Sequence, residues 1–295
     1  MVRMSNVTPV VIAALGAELV PAAAFGFAGE RVAGTVARWP FAVRVALPSL
    51  FVVPYVVIAA SQHMFLWRWF ALYTALPVVM AWLLARAAAA DPEQRGNWRD
   101  ALILLTLGLA VDLRWFDVAW PDGLRGLSNL LLVDAGLYAF IAIRRLSGTG
   151  FDFHLRWSDW KTGLRELLFL APAVLVVGLA LGFIHPHANV AAAGRAALAW
   201  AGIFIFVAVP EELFFRAWVQ NLLERRVGRR AALVIASVLF GLSHFNKRSA
   251  HFNWRYVLLA TIAGIFYGRA WRERRRVPAS TITHTCVDWL WSWWF

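Results

Sequence analysis

The chain is a succession of apolar stretches, each about as long as a bilayer is thick, joined by short loops that hold many of its arginines. The stretches fall near residues 7–28, 46–61, 64–85, 101–119, 127–143, 167–184, 196–224, 231–245, 254–270 and 277–295. A helix rises 1.5 Å per residue, so about 20 apolar residues cross a hydrocarbon core of about 30 Å. The expected fold class is therefore all-α, a polytopic transmembrane helical bundle of about 8–10 spans. The first half is less regular. Pro48 and Pro54 interrupt the second stretch, and Asp112, Arg114 and Asp117 cut into the fourth.

Composition rules out a soluble domain. Of the 295 residues, 61% are hydrophobic and 16% charged, against about half and a quarter in soluble domains. Net charge is +12, but the basic residues sit in short loops between spans, so anionic headgroups are the expected partner and nucleic acid is not. Cys286 is the single cysteine, which excludes an internal disulfide and a thiolate metal site. Residues 1–29 have an early Arg3 and a small-residue run at Pro21–Ala24, but Glu18 interrupts them and further spans follow. They read as a first span and not a cleaved signal.

Basic loops set the expected orientation. Loops 144–166, 225–230 and 269–276 are rich in Lys and Arg and alternate with poorer loops at 185–195 and 246–255. The basic loops are expected on the cytoplasmic side, and Trp289 to Phe295 as an outer aromatic belt. Gly148 to Leu164, with Phe151, Phe153, Trp157 and Trp160 among polar residues, reads as an amphipathic interfacial helix. Ser158 or Asp159 is placed to cap a helix entering the next span. The expected division is 1–150, an N-terminal transmembrane region without an assigned role, and 151–295, with the chemistry in 195–295.

Three motifs place ionisable groups inside apolar stretches, where such groups are costly and by default paired and functional. The first is Glu211-Glu212-x-x-x-Arg216, preceded by an uncharged arm from Ala196 to Val209. On a helix Glu212 and Arg216 are one turn apart, the favourable order for an ion pair. Glu211 lies about 100° away around the helix and is left available as a base. Pro210 removes a backbone hydrogen bond and loosens the turn. The second motif, Phe240-Gly241-Leu242-Ser243-His244, ends an uncharged span. The third is His284-x-x-x-Asp288.

Depth can be counted from the basic loops at 1.5 Å per residue. Glu211 and His244 fall about 21 Å deep, with His284 and Asp288 at roughly 12 and 18 Å. All four converge on one layer near the middle of the membrane. A buried Glu suits the work of a general base, a neighbouring His helps orient water, and a second His with a polar partner suits an oxyanion.

Together the motifs resemble the CPBP family of intramembrane proteases, also called ABI. It includes the CAAX prenyl endopeptidases and bacteriocin-processing or immunity relatives. Its hallmark is EExxxR, then FxxxH, then HxxxN or HxxxD, here Glu211, Glu212 and Arg216, Phe240 and His244, and His284 and Asp288. The resemblance covers about residues 195–295, with a less specific extension from 150. It implies an intramembrane endopeptidase of the bacterial inner (cell) membrane acting on a peptide or protein substrate. Glu211 would be the base, His244 its partner, and His284 with Asp288 the oxyanion site. Glu212, Arg216 and Phe240 would support them. Where CAAX endopeptidases commonly carry Asn, this chain has Asp288, which must then be protonated or act by orienting His284.

No cofactor is favoured. Zinc on Glu211, His244 and His284 is the rival, although HExxH is absent. A non-enzymatic immunity or scaffold protein and a proton-coupled transporter are the alternatives from other classes. Glu18, Asp112 and Asp134 are expected to make helix–helix hydrogen bonds or sit at an interface. His251 with Lys247 and Arg248 reads as a solvated outer loop, His185 and His187 as another, and Cys286 as packing.

Overall fold

In a computed structural model residues 8–186, 193–247 and 251–294 are described, and among them every regular element is helical. Arg3, His187, Arg248 and Phe295 lie outside the described residues. The chain divides into two units, Met1–Ser147 and Gly148–Phe295.

The first unit holds α1 (Pro9–Ala37), α2 (Phe41–Ser61), α3 (Trp67–Ala90), α4 (Trp98–Asp112) and α5 (Leu127–Ile143). Local chemistry sets the ends. Thr8 caps α1 by accepting from Val11 N at 3.3 Å, and Asn97 with Asp100 forms a capping box at α4. Pro48 and Pro54 tighten α2 into a 3-10 stretch at Leu47–Val52. The fourth apolar stretch is shorter than the sequence suggests. The helix stops at Asp112, and a 3-10 turn at Asp117–Ala119 follows. Asp91 and Asp100 accept from Arg144 at 2.6 and 2.9 Å. Glu18 and Asp134 are both buried. Neither oxygen of Glu18 has a hydrogen-bond partner among the described residues, so the expected helix–helix bond is not made there.

Among the described residues, five helical stretches are long and apolar enough to cross a membrane: α1, α2, α3, Trp157–Ala180 and Arg195–Leu242. Only 28% to 33% of their most apolar windows are buried. Val20, Leu168, Val176 and Leu198 project outward. Apolar faces of that extent belong against lipid, where a helix also satisfies its own backbone. The protein is an integral membrane protein.

The second unit starts with an irregular strip, 148–156, where Gly148 and Gly150 both take φ of +69°. The amphipathic helix expected over Gly148 to Leu164 does not form as a separate element. Asp159 accepts from Arg156 N at 2.9 Å and caps a single helix, α6 (Trp157–Ala180), that enters the span directly. Next come α7 (193–227) and α8 (229–242), broken only at Gly228, with φ +79° and ψ 165°. The loop expected at 225–230 is thus a one-residue break in a helical run. Only glycine takes such a φ without strain.

The pair α9 (Trp254–Arg274) and α10 (Val277–Trp294) completes the unit, and Arg275 turns between them at φ +53°. The basic residues of 269–276 are partly occupied within the protein. Arg269 pairs with Glu166, Arg275 with Glu224, and Arg276 with Asp152 and Asp159. Helices α8 and α9 approach closely at Gly241, where a Cβ would stand 2.6 Å from Val257 O and 1.9 Å from Thr261 Oγ1.

Candidate active site

Glu211 and Glu212 lie where α7 changes its winding. A four-residue α-turn, Val209–Glu212, is flanked by π-helical turns at Phe204–Ala208 and Leu213–Gln220. Pro210 cannot donate a backbone hydrogen bond, and wide turns of this kind are frequent at functional sites. Helical spacing then separates the carboxylates. Glu212 points inward and is fully buried, whereas the Glu211 side chain keeps 25% of its surface.

Glu212 is held on both sides. Its Oε2 is 3.0 Å from Arg216 Nε, and its Oε1 is 2.9 Å from His284 Nδ1. The guanidinium lies over the Phe240 ring at 5.2 Å, so its charge is balanced by one carboxylate and one aromatic face. Phe240 also stands edge-on to His284 at 5.7 Å. A buried charge is tolerated only with such partners.

His284 comes from α10 and is stacked on Tyr267 of α9 at 4.6 Å, 15° from parallel. Its Nε2 faces two further carboxylates, Asp288 Oδ2 at 3.5 Å and Glu211 Oε2 at 3.8 Å. Ionised carboxylates only accept, so this ring is arranged to donate from both nitrogens. That Glu211 oxygen is buried and has no hydrogen-bond partner among the described residues.

His244 follows α8. Its Nδ1 lies 2.9 Å from Phe240 O, one turn back, and 3.2 Å from Ser243 Oγ. Nδ1 donating to that carbonyl leaves Nε2 as an acceptor, and Lys247 Nζ stands 3.5 Å from Nε2. The same ammonium is 3.6 Å from Glu211 Oε1.

The position of α10 depends on its first turn. Arg276 donates to Asp159 Oδ1 and to Asp152 Oδ2, both at 2.7 Å, and to His154 O at 2.8 Å. Val277 N donates to Gly150 O at 2.8 Å. Burial alone would raise the Asp152 carboxyl, but the bonds it accepts from Arg276 and His154 outweigh this and hold it down at about 2.

The motif residues from α7, α8 and α10 are thus brought together. A cavity of about 250 Å³ opens on His244, His284 and Asp288 and is otherwise mainly apolar, with Tyr256, Tyr267 and Trp291 in its wall. Residues 193–290, a third of the chain, match the model of the Rce1-like family, described as type II CAAX prenyl endopeptidase Rce1-like. This region is similar to that family. The match agrees with the CPBP resemblance read in the motifs, and the Rce1-like family is one of proteases. No curated protein and no solved structure matches the chain.

Sequence reasoning missed two residues that stand against the motif side chains, Tyr267 and Lys247. Tyr267 belongs to the stripe Ala260, Ala263, Gly264 and Tyr267, whose helical spacing reads as ordinary core. Lys247 was expected in a solvated loop with His251. Instead the chain folds back after α8, and Asn253 Nδ2 donates to Lys247 O at 3.1 Å. The spacing His244-x-x-Lys247 was the available signal.

Proposed function

We propose that the protein is an intramembrane endopeptidase that hydrolyses a peptide bond with a water activated by Glu211 and His244. The observation that carries the reading is that His244, His284 and Asp288 line one cavity with Glu211 3.8 Å behind His284, inside a region matching a peptidase family. Glu212 is tied to Arg216 and His284, while Glu211 keeps an exposed face and an oxygen without a hydrogen-bond partner among the described residues.

In this mechanism Glu211 takes a proton from water as the water oxygen bonds to the carbonyl carbon. The π pair moves to the carbonyl oxygen. His244 Nε2 accepts a hydrogen bond from the same water and orients it. When the intermediate collapses, the C–N bond breaks and the leaving nitrogen takes the proton from Glu211. His284, fixed by Glu212 and Tyr267, donates toward the reacting carbonyl. The distances of 3.5 to 3.8 Å are those of a site without substrate, which tightens when substrate binds.

The metal-free form is supported by the donor set. Among the described residues no group of three His, Cys, Asp or Glu side chains is arranged to hold a metal ion. The Lys247 ammonium faces Glu211 Oε1 and His244 Nε2, which sets a positive charge beside the residues that would hold a zinc ion. We also assign the basic loops to the cytoplasmic side of a bacterial inner membrane, from the alternation of Lys- and Arg-rich segments.

The test compares the membrane proteome of cells carrying the wild-type protein with that of cells carrying Glu211→Gln. Precursors should accumulate uncleaved in the variant, with new termini present only in the wild type. Identical terminal-peptide profiles, with both proteins present at equal level, would overturn the reading in favour of a non-enzymatic role.

A further inference from the structure

Among the motif residues only His284 is placed to donate toward the charge that develops in this site. Addition of water to a carbonyl puts negative charge on the carbonyl oxygen near Asp288, while Glu211 takes up the water proton and loses its own charge. Where the family hallmark has Asn, an amide would donate to that oxygen, but an ionised Asp288 can only accept. The guanidinium of Arg216 is fully buried against Glu212 and the Phe240 face, whereas the Lys247 side chain keeps 35% of its surface.

Lys247 places a second cationic side chain against Glu211. Its Nζ is 3.6 Å from Glu211 Oε1 and 3.5 Å from His244 Nε2, while His284 faces the other oxygen of Glu211. Its backbone is held by Lys247 N donating to His244 O at 3.2 Å and by Asn253 on its carbonyl. An ammonium carries three donors and no acceptor, and charge-assisted bonds are about twice as strong as neutral ones.

We propose that Lys247 is a further catalytic residue, the cation that binds the oxyanion formed when water adds to the scissile carbonyl. This rests on the peptidase reading above. As the water oxygen bonds to carbon and its proton passes to Glu211, the carbonyl π pair becomes the oxyanion lone pair that Lys247 N–H groups receive. Collapse restores the carbonyl, expels the amine, and leaves Lys247 as it began. The ammonium keeps its protons throughout.

The experiment uses full-length protein in detergent and a synthetic peptide spanning a bond found cleaved in wild-type but not Glu211→Gln cells. Lys247→Met should lower kcat by about 10²–10³-fold, the usual loss for one oxyanion donor, with KM changed less than about threefold. Lys247→Arg should recover at least about tenfold of that loss. Adding Asp288→Asn to Lys247→Met should also recover activity, because it supplies an amide donor, and a packing role for Lys247 would not respond to that change. If Lys247→Met does not stay monodisperse, Lys247→Arg and Lys247→Gln are compared, and equal kcat in those two overturns the proposal. So does a kcat for Lys247→Met within about threefold of wild type, or a loss that neither Arg nor Asp288→Asn relieves. Identical wild-type and Glu211→Gln cleavage profiles would instead overturn the peptidase reading itself.

Discussion

His284 Nδ1 stands 2.9 Å from Glu212 Oε1, and the second oxygen of the same carboxylate stands 3.0 Å from Arg216 Nε. One buried carboxylate therefore joins the helix carrying the glutamates to the helix carrying the second histidine. Glu212 is in this sense the keystone of the site. It fixes the tilt and donor direction of His284, and so the direction from which His284 addresses Glu211 and Asp288.

Breaking that triad from one side should cost more than removing the pair. Arg216→Met leaves a buried carboxylate with one partner, and loss of one member of a buried pair costs about 3–5 kcal/mol. Glu212→Leu combined with Arg216→Met removes both charges, so it should be less destabilised than the sum of the single variants. Thermal unfolding in detergent reads both. Strict additivity would show that the 3.0 Å contact contributes nothing to stability.

The sequence made the bundle and the three motifs legible because each is a local pattern. Uncharged runs mark spans, and i to i+4 spacing is enough to pair Glu212 with Arg216. What it hid depends on chain direction outside helices. Whether residues 225–230 form a loop turns on one φ, that of Gly228. Whether Gly148 to Leu164 is helical turns on Arg276 drawing Asp152, His154 and Asp159 together across more than a hundred residues. Lys247 was misplaced for the same reason. Its exposure follows from how the chain folds back after α8, and no periodicity encodes that.

The close approach of α8 and α9 predicts a sharp difference between glycines. Gly241→Ala would put a methyl against Val257 O and Thr261 Oγ1, and overpacking of this kind costs about 1–3 kcal/mol. Gly202→Ala meets nothing within 4 Å and should leave stability unchanged or higher. A melting series on both variants decides it. Equal melting temperatures would mean that the helices do not meet at Gly241 as closely as described.

The clamp on the first turn of α10 predicts an acid-labile component of stability. Asp152 has an ordinary value of 3.8 and is held at about 2, burial opposing and the bonds from Arg276 and His154 prevailing. The folded state thus binds this proton less readily than the unfolded chain. Its contribution, about 2 kcal/mol from the size of the shift, is complete above roughly pH 4 and is lost as pH falls through about 2. Asp152→Asn should lower stability at pH 6 and flatten the slope of unfolding free energy between pH 4 and 2 by about one proton. An unchanged slope would remove Asp152 from the clamp.

Metal removal should leave cleavage intact. A catalytic zinc needs three protein donors at about 2.0–2.2 Å with a fourth position for water. His244 Nε2 and Glu211 Oε1 both face the Lys247 ammonium, a fixed positive charge that would repel a divalent cation. Incubation with 1,10-phenanthroline, then dialysis against EDTA, should change the cleavage rate less than about twofold, where loss of a catalytic metal would remove several kcal/mol of transition-state stabilisation. A loss restored by stoichiometric zinc would assign Glu211, His244 and His284 as its ligands instead. Lys247→Met would then be expected to tighten zinc binding, because it removes the repelling charge.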